Sequence, residues 1–276
     1  MSETSNGLLN LKSFLNREYS GVKLEGTENA DDTRDLVALG DNQSLAEALS
    51  GNNAINGNGA NDVLSGEAGD DLVSGDAGFD NLYGGSGRDL LGGGDDDDRL
   101  FGGSGNDLLF GDEGDDFLDG QGHFNGLSGG PGNDTLVGLG GSAIEDGNAL
   151  YDNLEGGPGA DRFRLRKSND AEGRLFVEGQ KYAIIRDFNP SEEEDKIVLP
   201  GTADDYEAKI FGENNENTAI VYTANADIDL GVTFGPISIS ASTLNVDVPD
   251  PGALVAVLDG TTAGNMYNPE FYEYTG

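Results

Sequence analysis

The stretch GGSGNDLLFGDEGDDFLD, residues 102–119, runs through glycines, an aspartate and a leucine, then repeats that order nine residues later. Glycine in a regular element costs roughly 0.5–1 kcal/mol relative to alanine. A chain that keeps glycines at a fixed spacing therefore uses them for backbone conformations other residues cannot reach. Extended in both directions, the frame gives thirteen nine-residue units from Ala48 to Arg164, without an insertion. The eighth position is apolar in twelve of them, from Ile55 and Leu64 to Leu154 and Phe163. The sixth position is Asp or Asn in twelve. Both columns fail together in GLGGSAIED (138–146), at Ala143 and Glu145, which reads as a bulged or looped coil inside a stack.

Six residues of turn and three of strand make half a coil, so two units close one eighteen-residue turn of a flattened helix. Each strand then pairs with the strand of the next coil about 4.8 Å away, and the eighth-position side chains stack inward. Sixth-position carboxylates line the two edges, with alternate units on opposite sides. In an uninterrupted frame one edge carries Asp62, Asp80, Asp98, Asp116, Asp134 and Asp152. The other carries Asn53, Asp71, Asp89, Asp107, Asn125, Ala143 and Asp161.

Carboxylates stacked about 5 Å apart repel by roughly 3 kcal/mol per pair at an effective dielectric near 20. A core of one inward residue in nine is too thin to offset such columns. A hard cation between turns reverses the sign, because calcium accepts six to eight oxygens from carboxylates and backbone carbonyls alike. Five gaps on the first edge and two on the second have aspartate on both sides, which suggests about seven calcium ions. The best-formed sites pair turn 66–71 with 84–89, 84–89 with 102–107, and 111–116 with 129–134. Their glycines, Gly66, Gly69, Gly84, Gly87, Gly102, Gly105, Gly111, Gly114, Gly129 and Gly132, present carbonyls to the ion. Within the run DDDD (95–98) only Asp98 falls in the ligand column. Asp95, Asp96 and Asp97 read as solvated charges, as do Asp70, Asp115, Glu67 and Asp112.

Composition narrows the function classes. Fifteen Lys and Arg stand against 52 Asp and Glu, a formal net charge of −37. Nucleic acid and anionic membrane attract basic surfaces and are poor partners for this chain; cations are favoured. Without cysteine there is no disulfide, thiolate metal site or cysteine nucleophile, and one histidine cannot build a zinc hydrolase. No run of eighteen apolar residues occurs, so no membrane span is expected.

The units GGSGNDLLF (102–110) and GGPGNDTLV (129–137) resemble the RTX, or hemolysin-type calcium-binding, repeat G-G-x-G-x-D-x-U-x at every defined position. The segment YAIIRDFNPSEEEDKIVLPG (182–201) is similar to the cap strands that follow such repeats in secreted bacterial and cyanobacterial members. The resemblance implies an all-β protein, a right-handed parallel β-roll of nonapeptide repeats followed by an antiparallel β cap. It marks Asp187 and Asp195 as acidic cap positions, with a terminal calcium or a surface role. Departures at His123, Asn125, Ala143 and Leu150 weaken individual metal sites.

Outside the frame, Leu8, Leu11, Leu15 and Tyr19 fall at helical spacing and predict a short amphipathic N-terminal helix. The expected organisation is an N-terminal cap over 1–47, a calcium-binding roll over 48–164, and a C-terminal β cap and secretion region over 165–276. The start, MSETSNGLLNLKSFLNREYS, lacks the basic and apolar regions of a Sec signal peptide. After Lys209 there is no further Lys or Arg. The resemblance implies an uncleaved C-terminal signal there, read by a type I secretion apparatus. The expected protein is extracellular, non-enzymatic and folded by calcium, a component of the cell surface or extracellular matrix. The alternatives are a module that binds polysaccharide or a surface, and the calcium-binding and secretion part of an enzyme. No nucleophile–base–orienter set is evident in the sequence.

Overall fold

The computed structural model describes residues 35–38, 45–47, 51–138, 151–165, 182–190, 194–200, 206–211, 217–222, 236–239, 244–247, 254–258 and 271–275. The helix expected at 8–19 lies outside them.

Strands are numbered in chain order. One sheet holds β1 (Asp35–Ala38), β3 (Asn53–Asn56), β5 (Leu72–Ala77), β7 (Leu90–Asp95), β9 (Leu108–Glu113), β11 (Gly126–Ser128), β13 (Tyr151–Glu155) and β15 (Tyr182–Ile185). The facing sheet holds β2 (Leu45–Glu47), β4 (Val63–Ala68), β6 (Asn81–Ser86), β8 (Arg99–Ser104), β10 (Phe117–Gln121), β12 (Thr135–Gly138), β14 (Arg162–Leu165) and β16 (Lys196–Pro200). Successive strands alternate between the sheets, and every neighbouring pair in these two series is parallel. The chain is a parallel β-roll.

The register shows why nine residues is the unit. Leu64 pairs with Leu82, Leu82 with Leu100 and Leu100 with Leu118, so eighth-position side chains superpose every eighteen residues. All are fully buried, and with Ile55, Val73, Leu91, Leu109 and Leu136 they form one continuous core. Strands are longer than the expected three residues. β6 covers the last three positions of one unit and the first three of the next, because Gly85 and Ser86 also pair with Gly103 and Ser104. Only the fourth to sixth positions make the tight turn. Gly105, at a fourth position, has φ +140°, and a methyl group there would overlap the Gly87 carbonyl of the preceding coil. Both the backbone angle and the close approach exclude a side chain.

The faulty unit changes the topology. β11 pairs with β13 and β12 with β14, and along these pairs the hydrogen-bond step is 27 residues instead of eighteen. One nine-residue unit is therefore taken out of the stack, and the uninterrupted assignment of edges is corrected beyond Asp134. Asp161, not Asp152, follows Asp134; Asp152 follows Asn125. The physical reason lies in the two failing columns. Kept in frame, Glu145 would put a charge into the dry core and Ala143 would offer no acceptor to the coil below. Omitting the unit returns Leu154 and Phe163 to the core, both fully buried.

Past Leu165 the pairing is mixed. The sheets continue in parallel through β15 and β16 to β21 (Leu254–Leu258) and β22 (Tyr272–Thr275). The antiparallel part of the expected cap comprises β17 (Tyr206–Phe211) with β18 (Asn217–Tyr222), β18 with β21, and β19 (Pro236–Ile239) with β20 (Leu244–Asp247). Phe188 packs edge-on against Phe163 and continues the core into this region.

Candidate metal centre

Sixth-position aspartates are buried although all but Asp152 lie in turns: Asp62, Asp80, Asp98, Asp116, Asp134 and Asp161 on one edge, Asp71, Asp89, Asp107 and Asp152 on the other. From Asp71 onward one oxygen of each is a backbone acceptor. Asp80 Oδ1 accepts the Asp62 N–H at 2.6 Å, and the pattern repeats from Asp98 to Asp80, Asp116 to Asp98, Asp134 to Asp116 and Asp161 to Asp134. On the opposite edge Asp71, Asp89, Asp107, Asn125 and Asp152 accept in the same way from Asn53, Asp71, Asp89, Asp107 and Asn125. Each ladder ties a carboxylate to the coil before it.

The second oxygen is different. Oδ2 of Asp71, Asp80, Asp89, Asp98, Asp107, Asp116 and Asp134 is buried and receives no hydrogen bond. A buried carboxylate oxygen left so is expensive. Its surroundings are other oxygens. A methyl group built on Gly84 would lie 2.5 Å from Asp89 Oδ2 and 2.6 Å from the Gly102 carbonyl oxygen of the next coil. The same trio recurs at Gly66 with Asp71 and Gly84, at Gly93 with Asp98 and Gly111, at Gly111 with Asp116 and Gly129, and at Gly129 with Asp134 and Gly156. First-position glycine thus leaves space beside an anionic oxygen and a carbonyl oxygen. The carbonyls of the fourth-position glycines Gly69, Gly87, Gly114 and Gly132 face the fourth-position glycine of the following coil.

Electrostatics point the same way. Burial lifts the carboxyls of Asp89, Asp107 and Asp116 from 3.8 to about 6, of Asp71 and Asp80 to about 7, and of Asp98 and Asp134 to about 8. The hydrogen bond from the preceding coil opposes each shift without cancelling it. A hard cation fits this donor set: no nitrogen or sulfur ligand, one carboxylate per turn, and main-chain oxygens beside it. Among the described residues no three acidic, imidazole or thiol side chains converge, so the backbone must supply part of any coordination shell.

The known proteins bear on this geometry. A sequence model of the RTX calcium-binding nonapeptide repeat (4 copies) matches at residues 47–82, 65–100, 74–109, 92–122 and 127–142. The chain carries RTX calcium-binding nonapeptide repeats. A search of curated proteins finds no match. The RTX matches stop before the coil of Asp161, yet that coil repeats the ladder: Asp161 Oδ1 accepts the Asp134 N–H at 2.8 Å.

At the end of the stack the two acidic cap positions act on the backbone. Asp195 Oδ1 accepts from Asp161 N–H, extending the column by one step, and its Oδ2 accepts from Asn189 N–H. Asp187 accepts from Gly156 N–H and Gly157 N–H with its two oxygens. Asp195 thus differs from the RTX aspartates beneath it, since N–H donors meet both its oxygens.

A second ladder runs through the fifth position. Oδ1 of Asn52, Asn61, Asp70, Asp97, Asn106, Asp115 and Asn133 accepts the fifth-position N–H of the following coil, at 2.8–3.1 Å. It points opposite to the sixth-position ladder, so neighbouring coils are linked in both directions. Asp70, Asp97 and Asp115 are therefore backbone acceptors as well as surface charges; Asp70 also pairs with Arg88 at 2.7 Å. The run of Asn and Asp in the column just before the aspartates was the available signal.

Proposed function

We propose that this is a secreted, non-enzymatic RTX protein that folds on meeting extracellular calcium and serves at the cell surface or in the extracellular matrix. The observation that carries the reading is the pair of columns of buried, unpaired Oδ2 atoms beside carbonyl oxygens. Such columns are unstable alone and stable around a divalent cation. The gaps bounded on both sides by sixth-position aspartates are Asp62–Asp80, Asp80–Asp98, Asp98–Asp116, Asp116–Asp134, Asp134–Asp161, Asp71–Asp89 and Asp89–Asp107, which supports about seven ions. In this reading those aspartates, with the first-position glycines Gly66, Gly84, Gly102, Gly111 and Gly129 and the fourth-position glycines Gly69, Gly87, Gly105, Gly114 and Gly132, form the metal sites. Residues 48–164 are the calcium roll, 1–47 an N-terminal cap, and 165–276 the cap and secretion region. No helix among the described residues is long and apolar enough to cross a membrane.

Type I export rests on the absence of Lys and Arg after Lys209. Cytosolic calcium is too low to fill weak sites, so the chain would pass the exporter unfolded and fold outside. Deleting 213–276 is expected to retain the protein inside cells that carry the cognate exporter. Normal secretion of that deletion would show the region to be structural only.

A second reading, a polysaccharide-binding surface, draws on one observation. Tyr83 and Phe101 stack on the outer face of β6 and β8, with centroids 5.1 Å apart and planes within 8°. Tyr83 remains exposed. Replacing both by alanine is expected to abolish retention on an immobilised uronate polymer if that face binds sugar rings; unchanged retention, or none in the parent protein, removes the reading.

A further inference from the structure

Asn125 stands in the sixth-position column where its neighbours on the same edge are aspartates. It is buried, and its Oδ1 keeps the ladder by accepting the Asp107 N–H at 2.9 Å. Its Nδ2 donates to the Gly122 carbonyl of its own turn at 2.6 Å. The reverse amide orientation would set Oδ1 against a carbonyl oxygen and Nδ2 against an N–H, so the two bonds fix which atom is which. A methyl group on Gly120 would lie 2.6 Å from Asn125 Nδ2. In turn 84–89 the corresponding atom is Asp89 Oδ2, at 2.5 Å. The amide nitrogen thus occupies the place of the unpaired carboxylate oxygen.

A second feature separates this turn. The following connection on this edge is the one lengthened by the omitted unit, where the step to Asp152 is 27 residues. Asparagine therefore falls in the last coil before the lengthened connection. Asn53 shows the same closure, with Nδ2 donating to the Gly51 carbonyl at 2.7 Å.

We propose that Asn125 closes its turn without metal: its amide N–H gives the Gly122 carbonyl the positive partner that calcium gives carbonyls in the aspartate turns. Turn 120–125 is then a metal-free joint between the calcium-loaded run Asp71–Asp107 and the coils beyond the lengthened connection. The inference rests on the calcium reading above and adds a residue that excludes the ion.

The test is Asn125→Asp in the full chain, which keeps the shape and the acceptor and removes the donor. Bound calcium is counted by equilibrium dialysis, and thermal unfolding is followed by circular dichroism in saturating calcium. The expected result is an unchanged ion count with a Tm lower by about 5 °C or more. An additional bound ion, or a Tm equal to or above that of the parent protein, overturns the proposal, since a turn lacking only charge would gain from a carboxylate. Asn53→Asp, at the opposite end of the same edge, is expected to behave alike and serves if the first variant fails to fold. A parent protein that binds no calcium overturns the calcium reading itself. A calcium-binding parent with an additional ion in the variant overturns only the role of the amide.

Discussion

In calcium-stripped buffer near pH 8 the roll is expected to be unfolded, and to fold either on adding calcium or on acidification to about pH 5. The second half of that expectation follows from the sign of the carboxyl shifts. Asp71, Asp80, Asp98 and Asp134 are raised to about 7 or 8 in the metal-free fold, by burial first. An acid whose folded pKa exceeds its unfolded one binds more protons folded than unfolded between the two values. Its favourable contribution is complete below the unfolded value of 3.8 and is lost as pH rises through the folded value. Ionising one carboxyl held at about 7 costs on the order of 4 kcal/mol relative to an unfolded one. Two or three ionised together already match the roughly 5–15 kcal/mol by which a folded domain exceeds its unfolded state. Protons and calcium are thus alternative remedies for the same column, and the metal-free protein should gain strand signal as pH falls. Magnesium should replace calcium poorly, because it holds its waters and requires a tight octahedron. Far-UV circular dichroism with chelator, across pH and with each cation, reads all of this. A full β spectrum in chelator near pH 8 would sink the metal-stapled fold.

Much of this architecture is legible from residues 102–119 alone, because a β-roll repeats one local solution. Leu at the eighth position faces inward and Asp at the sixth faces the next turn, so a column in the sequence is a column in space. The nine-residue frame is blind to what happens when a unit is bad. GLGGSAIED keeps the count of nine, so spacing alone leaves Asp152 above Asp134. The cost of burying Glu145 and the acceptor missing at Ala143 break the eighteen-residue step there, and both belong to packing. The fifth-position ladder is hidden for another reason. Asp70, Asp97 and Asp115 look like surface charge in an acidic chain, and exposure and hydrogen bonding are not exclusive: Asp97 is exposed and still accepts from Asp115 N–H. The two situations within one carboxylate, Oδ1 accepting from the backbone and Oδ2 left beside a carbonyl oxygen, require coordinates to see.

The exchange of places between Asp152 and Asp161 should be measurable, since the two alanine variants are expected to lose different things. Asp161 lies directly above Asp134, and turn 129–134 has the unpaired Oδ2 together with the Gly156 carbonyl of the Asp161 coil. Asp161→Ala removes the acceptor of a buried N–H, which costs about 1–3 kcal/mol. It also takes a carboxylate from the last gap between sixth-position aspartates on that edge, so the bound count should fall by about one ion and the calcium midpoint of folding should rise. Asp152 instead sits above Asn125, whose amide meets the carbonyl of its own turn. Asp152→Ala therefore strips the acceptor from Asn125 N–H and should lower Tm, but leave the ion count unchanged. A continuous nine-residue frame demands the opposite, with Asp152 pairing with Asp134 and Asp161 facing Ala143. Calcium counting on the two variants decides between them: loss of an ion from Asp152→Ala, with none from Asp161→Ala, would put the omitted unit back into the stack.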